Sequence, residues 1–151
     1  MKKYKIIFTA GTWDLFHTGH LNILKKAKKL GDKLIVGVST NKLVKRYKKC
    51  NPILNYKQRF AIIKELKCVD KVIKQTNIFD VKQFKKLKAD IFVIGDDWKG
   101  REHLQKGLKW LKNNNYIYYI PYTKGLSTSM IKEKIIRNSY NIIKAQTSRS
   151  K

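Results

Sequence analysis

Two histidines three residues apart, His17 and His20, stand inside the segment GTWDLFHTGH at residues 11–20. The apolar run Ile6-Ile7-Phe8 leads into it, and a helical pattern, HLNILKKAKKL, follows at once. A neutral imidazole beside a helix N-terminus can donate to an anion, and the helix end adds its own partial positive charge. Metal binding is the weaker alternative, because His-x-x-His supplies two ligands and no nearby Cys or His completes a zinc site. Asp14 fits either a turn-stabilising Asx residue or a carboxylate that helps hold a divalent cation near phosphates. The segment is suited to phosphate chemistry.

Three more polar clusters follow apolar runs: Ser39-Thr40-Asn41, Gly95-Asp96-Asp97-Trp98, and the loop PYTKGLSTS from Pro121 to Ser129. If each run is a parallel strand, all four clusters converge on the carboxyl edge of one sheet, where ligands bind.

The elements that would position them alternate along the chain. Strands are predicted at Lys5 to Thr9, Leu34 to Val38, Lys71 to Lys74, Ile91 to Ile94 and Tyr116 to Ile120. Helices are predicted at Gly19 to Leu30, closed by Gly31, from Asn55 or Tyr56 to Leu66, at Val81 to Leu87, and over 101–112. Ser127 or Thr128 is a good N-cap for a last helix reaching Asn138. Residues 42–54, KLVKRYKKCNPIL, lack periodicity and are expected to form a mobile basic loop. This pattern predicts an α/β fold: a Rossmann-like, doubly wound parallel sheet of about five strands with helices on both faces. One domain is expected over 1–138, with 139–151 a basic tail, partly ordered at best.

Composition narrows the function classes. The chain has 151 residues, 42% of them apolar, which argues against disorder. No apolar run approaches the roughly 20 residues of a membrane span. Cys50 and Cys68 form no CxxC pair, and reduced thiols in a cytoplasmic protein are expected. The net charge of +25 points to an anionic partner. Lysines far outnumber the five arginines, which reads as a composition bias over solvated faces. A dedicated nucleic-acid binder favours arginine for bidentate contacts. Tyr116, Tyr118 and Tyr119 fall in a predicted buried strand, so they read as core and not as a stacking platform; a basic nucleic-acid-binding module is the remote reading.

GTWDLFHTGH resembles the signature of the nucleotidyltransferase superfamily built on an HxGH motif, here His17-Thr18-Gly19-His20. KGLSTSMIKEKI, from Lys124 to Ile135, is similar to that superfamily's second signature, where a Ser/Thr-rich helix start grips a triphosphate. The order of elements matches over most of the chain, from Lys5 to about Asn138. The cytidylyltransferase branch is the nearest in form, with GTFDLxHxGH as its first motif. VIGDDWKG (Val93 to Gly100) and KCVDKVI (Lys67 to Ile73) look like the GDDW and RYVDEVI elements of bacterial glycerol-3-phosphate cytidylyltransferases. Choline-phosphate and ethanolamine-phosphate cytidylyltransferases share the first and last motifs without the GDDW run.

The resemblance implies transfer of a cytidylyl group from CTP to sn-glycerol 3-phosphate, with in-line attack on the α-phosphorus. Positioning and charge stabilisation would do the work. It assigns His17 and His20 to the triphosphate and the charge building at the α-phosphorus. Thr9, Ala10, Gly11, Thr12, Asp14 and Gly19 would line the nucleotide. Asp97 and Trp98 would belong to the cytosine and ribose pocket, a carboxylate there accepting from the cytosine amino group. Thr123, Gly125, Ser127, Thr128 and Ser129 would hold the β- and γ-phosphates. Mg²⁺ or another divalent cation would offset phosphate repulsion, with Asp14 as the candidate ligand. Counting from Ser39-Thr40, the family's lid lysine is Lys48 or Lys49; Lys48 is the choice for the reacting phosphates. Arg59, Lys49, Lys67 and Asp70 would serve the acceptor. A homodimer is also implied, with the first-motif surface and Val69-Asp70 near its interface.

Two departures from the family pattern stand out. Tyr122-Thr123 occupies the place of an Arg-Thr pair, and Lys67 stands where an Arg is usual. A lost arginine removes a bidentate phosphate contact that lysine does not reproduce; Lys124, Lys48 and Arg101 are the candidates to compensate. The rival readings are another acceptor (phosphocholine, phosphoethanolamine or another polyol phosphate), an ATP-using adenylyltransferase, and a homologue that binds nucleotide without turnover.

Overall fold

A computed structural model describes residues 3–148, with side chains to residue 144. Five strands, β1 (Tyr4–Gly11), β2 (Gly31–Ser39), β3 (Lys71–Gln75), β4 (Ile91–Gly95) and β5 (Ile117–Ile120), form one sheet in the order β3-β2-β1-β4-β5. Every pairing is parallel. Six α-helices connect or follow them: α1 (Thr18–Leu30), α2 (Asn41–Lys48), α3 (Tyr56–Lys64), α4 (Val81–Lys86), α5 (Lys106–Asn113) and α6 (Thr128–Ser148). The strand order reverses between β1 and β4, so a crevice opens there at the carboxyl edge.

The two-residue alternation of the strands divides the core into two layers. Ile7, Leu34, Val36, Ile91 and Val93 pack on one face with Leu24 and Ala27 of α1 and Ile63 of α3. Phe8, Ile35, Phe92 and Ile94 pack on the other with Phe84 of α4 and Leu108 and Leu111 of α5. Phe92 meets Phe8 and Phe79 edge-on at 5.4 and 5.8 Å. The doubly wound sheet expected from the sequence is the sheet observed.

Three local expectations need correction. Residues 41–48 are helical, not a loop: Thr40 caps α2 by accepting from Leu43 N, and Leu43 and Val44 are buried beneath it. Eight residues hold too few apolar positions to show a period. The helix expected from 101 starts at Lys106, because Gln105 is extended and residues 102–104 form a separate 3-10 turn. That turn is held where Glu102 meets Tyr119 Oη and Lys112 Nζ. The last helix does not fade at Asn138 but continues to Ser148. Gly31 does close α1, but with extended backbone. A Cβ there would lie 2.7 Å from Tyr4 O, so close approach of β1 is what requires glycine.

Candidate active site in the crevice between the first and fourth strands

The turn after β1 is held in an uncommon shape. Trp13 and Leu15 have φ of 56° and 45°, a left-handed conformation that costs non-glycine residues about 1–2 kcal/mol each. Contacts from the surrounding chain offset it. Trp13 Nε1 donates to Gly37 O at 2.9 Å. The buried Asp14 carboxylate accepts from Ile53 N and Leu54 N, both at 2.9 Å, and pairs with Lys132 Nζ at 3.3 Å. Burial pushes the Asp14 pKa up, but those three partners outweigh it and leave the group below its ordinary value. Thr128 Oγ1 donates to Asp14 O at 3.0 Å, tying the start of α6 to the same turn.

This turn sets the two histidines at the start of α1. His17 is the N-cap, its Nδ1 accepting from Gly19 N at 3.1 Å. The neutral ring therefore carries its proton on Nε2, which is left as a donor. A Cβ on Gly19 would stand 2.9 Å from the His17 ring, which explains the glycine of HTGH. His20 stacks on His17 with ring centroids 3.8 Å apart and meets Trp13 edge-on at 5.4 Å. Burial first, then the neighbouring His17 and Lys48, lower the His20 pKa to about 3. Burial lowers His17 too. Both rings are neutral at pH 7. Among the described residues, His20 Nδ1 is a buried polar atom with no hydrogen-bond partner.

A cavity of about 440 Å³ opens in front of them, within the range of small-molecule sites. One wall is β1 and its turn: Thr9, Ala10, Gly11, Thr12, Trp13 and Asp14, with His17, Gly19, His20 and Ile23. The opposite wall comes from the end of β4, Ile94, Gly95, Asp97 and Trp98. Gly95 leaves room for the Asp97 carboxylate, since a Cβ there would lie 2.4 Å from Asp97 Oδ1. Trp98 is steadied edge-on against Phe79 at 5.1 Å. The third wall is Pro121, Tyr122, Thr123, Ser127, Thr128 and Ser129. Asp96 Oδ1 accepts from Tyr122 N at 2.9 Å and locks the second wall to the third. Lys48, at the end of α2, is the lysine on the rim; burial first, then Lys132, holds its pKa below the usual value.

Of the residues singled out from the sequence, fifteen line this cavity, and Lys48 rather than Lys49 is among them. The others lie elsewhere. Lys49 is the left-handed C-cap of α2. Gly125, at φ +74°, borders a separate groove along α6. Asp70 precedes β3, at the amino edge of the sheet, where it accepts from Leu34 N and Lys28 Nζ at 2.6 Å each. Lys67 lies in the turn just before it. Arg59 is fully buried. Its guanidinium donates to Leu54 O, Thr12 O, Ser39 O and Asn41 Oδ1 at 2.6–2.9 Å. It fastens three loops behind the cavity.

Sequence reasoning passed over two residues here. Tyr47 Oη is hydrogen-bonded to Thr12 Oγ1, and Lys132 holds Asp14. Lys132 stands four residues after Thr128 on α6, a spacing that returns it to the same helix face. Tyr47 offered no comparable signal, because α2 itself was read as loop.

Asp14 does not suit a metal. Both carboxylate oxygens are engaged, and among the described residues no group of three or more His, Cys, Asp or Glu could hold an ion.

The cytidylyltransferase-like family matches residues 8–134. Over 133 residues the chain is 38% identical to glycerol-3-phosphate cytidylyltransferase of Bacillus subtilis (strain 168), covering 87% of this chain and 97% of that one. It is 39% identical over 138 residues to the bifunctional protein HldE of Helicobacter pylori (strain ATCC 700392 / 26695), covering 91% of this chain and 29% of that one. Among solved structures, the lipopolysaccharide core biosynthesis protein of Thermoplasma volcanium GSS1 superposes with a TM-score of 0.63 at 31% identity, covering 80% of this chain and 98% of that one.

Proposed function

Because this chain belongs to the cytidylyltransferase-like family, we propose that it transfers a cytidylyl group from CTP to sn-glycerol 3-phosphate, releasing CDP-glycerol and pyrophosphate. The single observation that carries this reading is the convergence of three walls on one cavity: the stacked histidines, Asp97 with Trp98, and the Ser127–Ser129 helix start. The extent of the match to the Bacillus enzyme supports the choice of acceptor, since it spans nearly the whole of that chain.

An oxygen of the acceptor phosphate attacks the α-phosphorus in line. The bond from the α-phosphorus to the bridging oxygen breaks, and pyrophosphate leaves with that electron pair. His17 Nε2–H and His20 donate as neutral groups to the oxygens that gain charge. Neutral donors add no positive charge of their own, so the compensating charge comes from Lys48 and from the N-terminus of α6. Ser127, Thr128 and Ser129 cradle the β- and γ-phosphates there. Asp97 accepts from the cytosine amino group and Trp98 flanks the base. On the acceptor side, Arg59, Lys67 and Asp70 are replaced in this account by Lys48, the basic side chain at the cavity rim. The divalent cation expected from the family has no protein cage in this arrangement, and no step is assigned to it.

Pyrophosphate release with CTP or ATP against glycerol 3-phosphate, phosphocholine, phosphoethanolamine and other polyol phosphates tests the reading. CTP with glycerol 3-phosphate is expected to be the productive pair, and His17→Ala to abolish it. Turnover with ATP alone overturns the assignment of Asp97. CTP binding without turnover for any acceptor overturns the enzyme.

A further inference from the structure

Two residues beyond VIGDDWKG, and outside the cavity, stands a buried glutamate. Glu102 is only 3% exposed. Tyr119 Oη, from β5, donates to Glu102 Oε1, and Lys112 Nζ of α5 lies 3.1 Å from the same oxygen. Burial first, then the carboxylate itself, push the Tyr119 pKa up, so the hydroxyl keeps its proton. A buried ion pair contributes little net stability against an apolar replacement of the same size, and where one is kept it can fix an arrangement. The arrangement fixed here is the wall that carries Asp97 and Trp98.

That wall is an excursion between β4 and α5, pinned at two points to β5 and its exit. The first pin is Asp96 Oδ1, which accepts from Tyr122 N at 2.9 Å. The second is Glu102 on Tyr119. Between the pins the backbone forms a defined turn. Arg101 N donates to Trp98 O at 2.9 Å, Lys99 has φ −62° and ψ 126°, and Gly100 has φ 86°. These are the dihedrals of a type II turn, whose third position needs φ > 0 and so favours glycine. Trp98 opens the turn and Arg101 closes it, so the carboxylate that follows at 102 holds its far end. Phe79 meets Trp98 edge-on at 5.1 Å. Phe79 is itself packed against the start of α5, where a Cβ on Gly107 would lie 1.9 Å from Phe79 O. The indole is therefore backed by Phe79 and tethered through a single turn to Tyr119.

We infer that Glu102 and Tyr119 are positioning residues for base recognition: their buried contact holds the turn at 98–101 so that Trp98 and Asp97 meet the nucleotide base. This rests on the reading of the cavity as a CTP site. Neither Glu102 nor Tyr119 lines the cavity, so each acts through Trp98 and Asp97. No atom of the contact belongs to His17, His20 or the Ser127–Ser129 helix start. Loosening it changes how well the base is held and leaves the phosphate chemistry in place. Such a loss falls on ground state and transition state alike, and is read in KM and not in kcat.

Isothermal titration with CTP and UTP, and steady-state pyrophosphate release with CTP and glycerol 3-phosphate, test this on the full chain carrying Tyr119→Phe, Glu102→Ala or Glu102→Gln. Tyr119→Phe and Glu102→Ala are expected to raise the Kd and KM for CTP about five- to tenfold and to cut the CTP-over-UTP preference about threefold or more, with kcat and the KM for glycerol 3-phosphate held within about twofold. Glu102→Gln keeps an oxygen that accepts from Tyr119 Oη and is expected to recover most of the CTP affinity. Circular dichroism identifies the folded variants; should Glu102→Ala unfold, Tyr119→Phe, which removes a single oxygen, carries the test. Unchanged CTP affinity in folded Tyr119→Phe overturns the inference. A fall in kcat at unchanged CTP affinity overturns it as well, because that marks a smaller folded fraction. If the wild type binds CTP without turnover, the proposed reaction fails and the titrations alone decide the inference. A wild type that does not bind CTP overturns both.

Discussion

His17 and His20 stack with their ring centroids 3.8 Å apart and their planes 21° apart. Two such rings cannot both be cationic, and burial already opposes charge on each. The pair is therefore a neutral donor set, and its protonation would weaken the fold. The His20 pKa is about 3 when folded against an ordinary 6.5, so the unfolded chain takes up the proton first as pH falls. The stability tied to His20 is fully present above pH 6.5 and lost progressively towards pH 3, by about 1–2 kcal/mol at pH 5. Urea unfolding at pH 7 and pH 5 should show this loss in the wild type and a smaller one in His20→Gln. Equal losses in both proteins would remove His20 as its source.

Tyr122 stands where the family pattern has arginine. Its side chain lines the cavity, and its hydroxyl donates to Leu126 O at 2.9 Å. Tyr122→Arg is expected to lower the KM for CTP about three- to tenfold, because a charge-assisted contact contributes roughly 1.5–3 kcal/mol before the cost of ordering the side chain. Steady-state pyrophosphate release measures it. An unchanged or raised KM means that Tyr122 is adapted to this cavity and not a loss.

Arg59 is expected to matter for stability before chemistry. Arg59→Met strands Thr12 O, Ser39 O and Leu54 O without their donor, and the loss is expected to be about 2–4 kcal/mol. Arg59→Lys should recover little of it, because an ammonium lacks the planar fork that spans these acceptors. Urea midpoints report the loss. Full stability with abolished turnover would instead return Arg59 to the ligand.

Asp97 is held by a glycine that gives way to its carboxylate. Asp97→Asn should reduce the CTP-over-UTP preference in kcat/KM about tenfold, since an amide can serve either the cytosine amino group or the uracil carbonyl. Gly95→Ala should raise the KM for CTP by displacing the same carboxylate. Unchanged nucleotide preference in Asp97→Asn would take Asp97 out of base recognition.

The sheet was legible because its strands are short apolar runs with an unbroken alternation, as in Ile7-Phe8 and Ile91-Phe92. The cavity was legible because topology brings the ends of parallel strands to one edge whatever the loops do. The place of Asp70 outside the cavity was readable too: it precedes β3 and so lies at the amino edge. Arg59 was not readable. Its partners are three carbonyl oxygens and one amide, from residues 12, 39, 41 and 54, and carbonyls leave no mark in a sequence. α2 escaped notice for a different reason, since Leu43 and Val44 are too few to set a period amid lysines.

The bond from Thr128 Oγ1 to Asp14 O joins positions 114 residues apart. All five strands precede Thr128 and Lys132 in the chain, so the site is completed only where the last helix closes on the first turn.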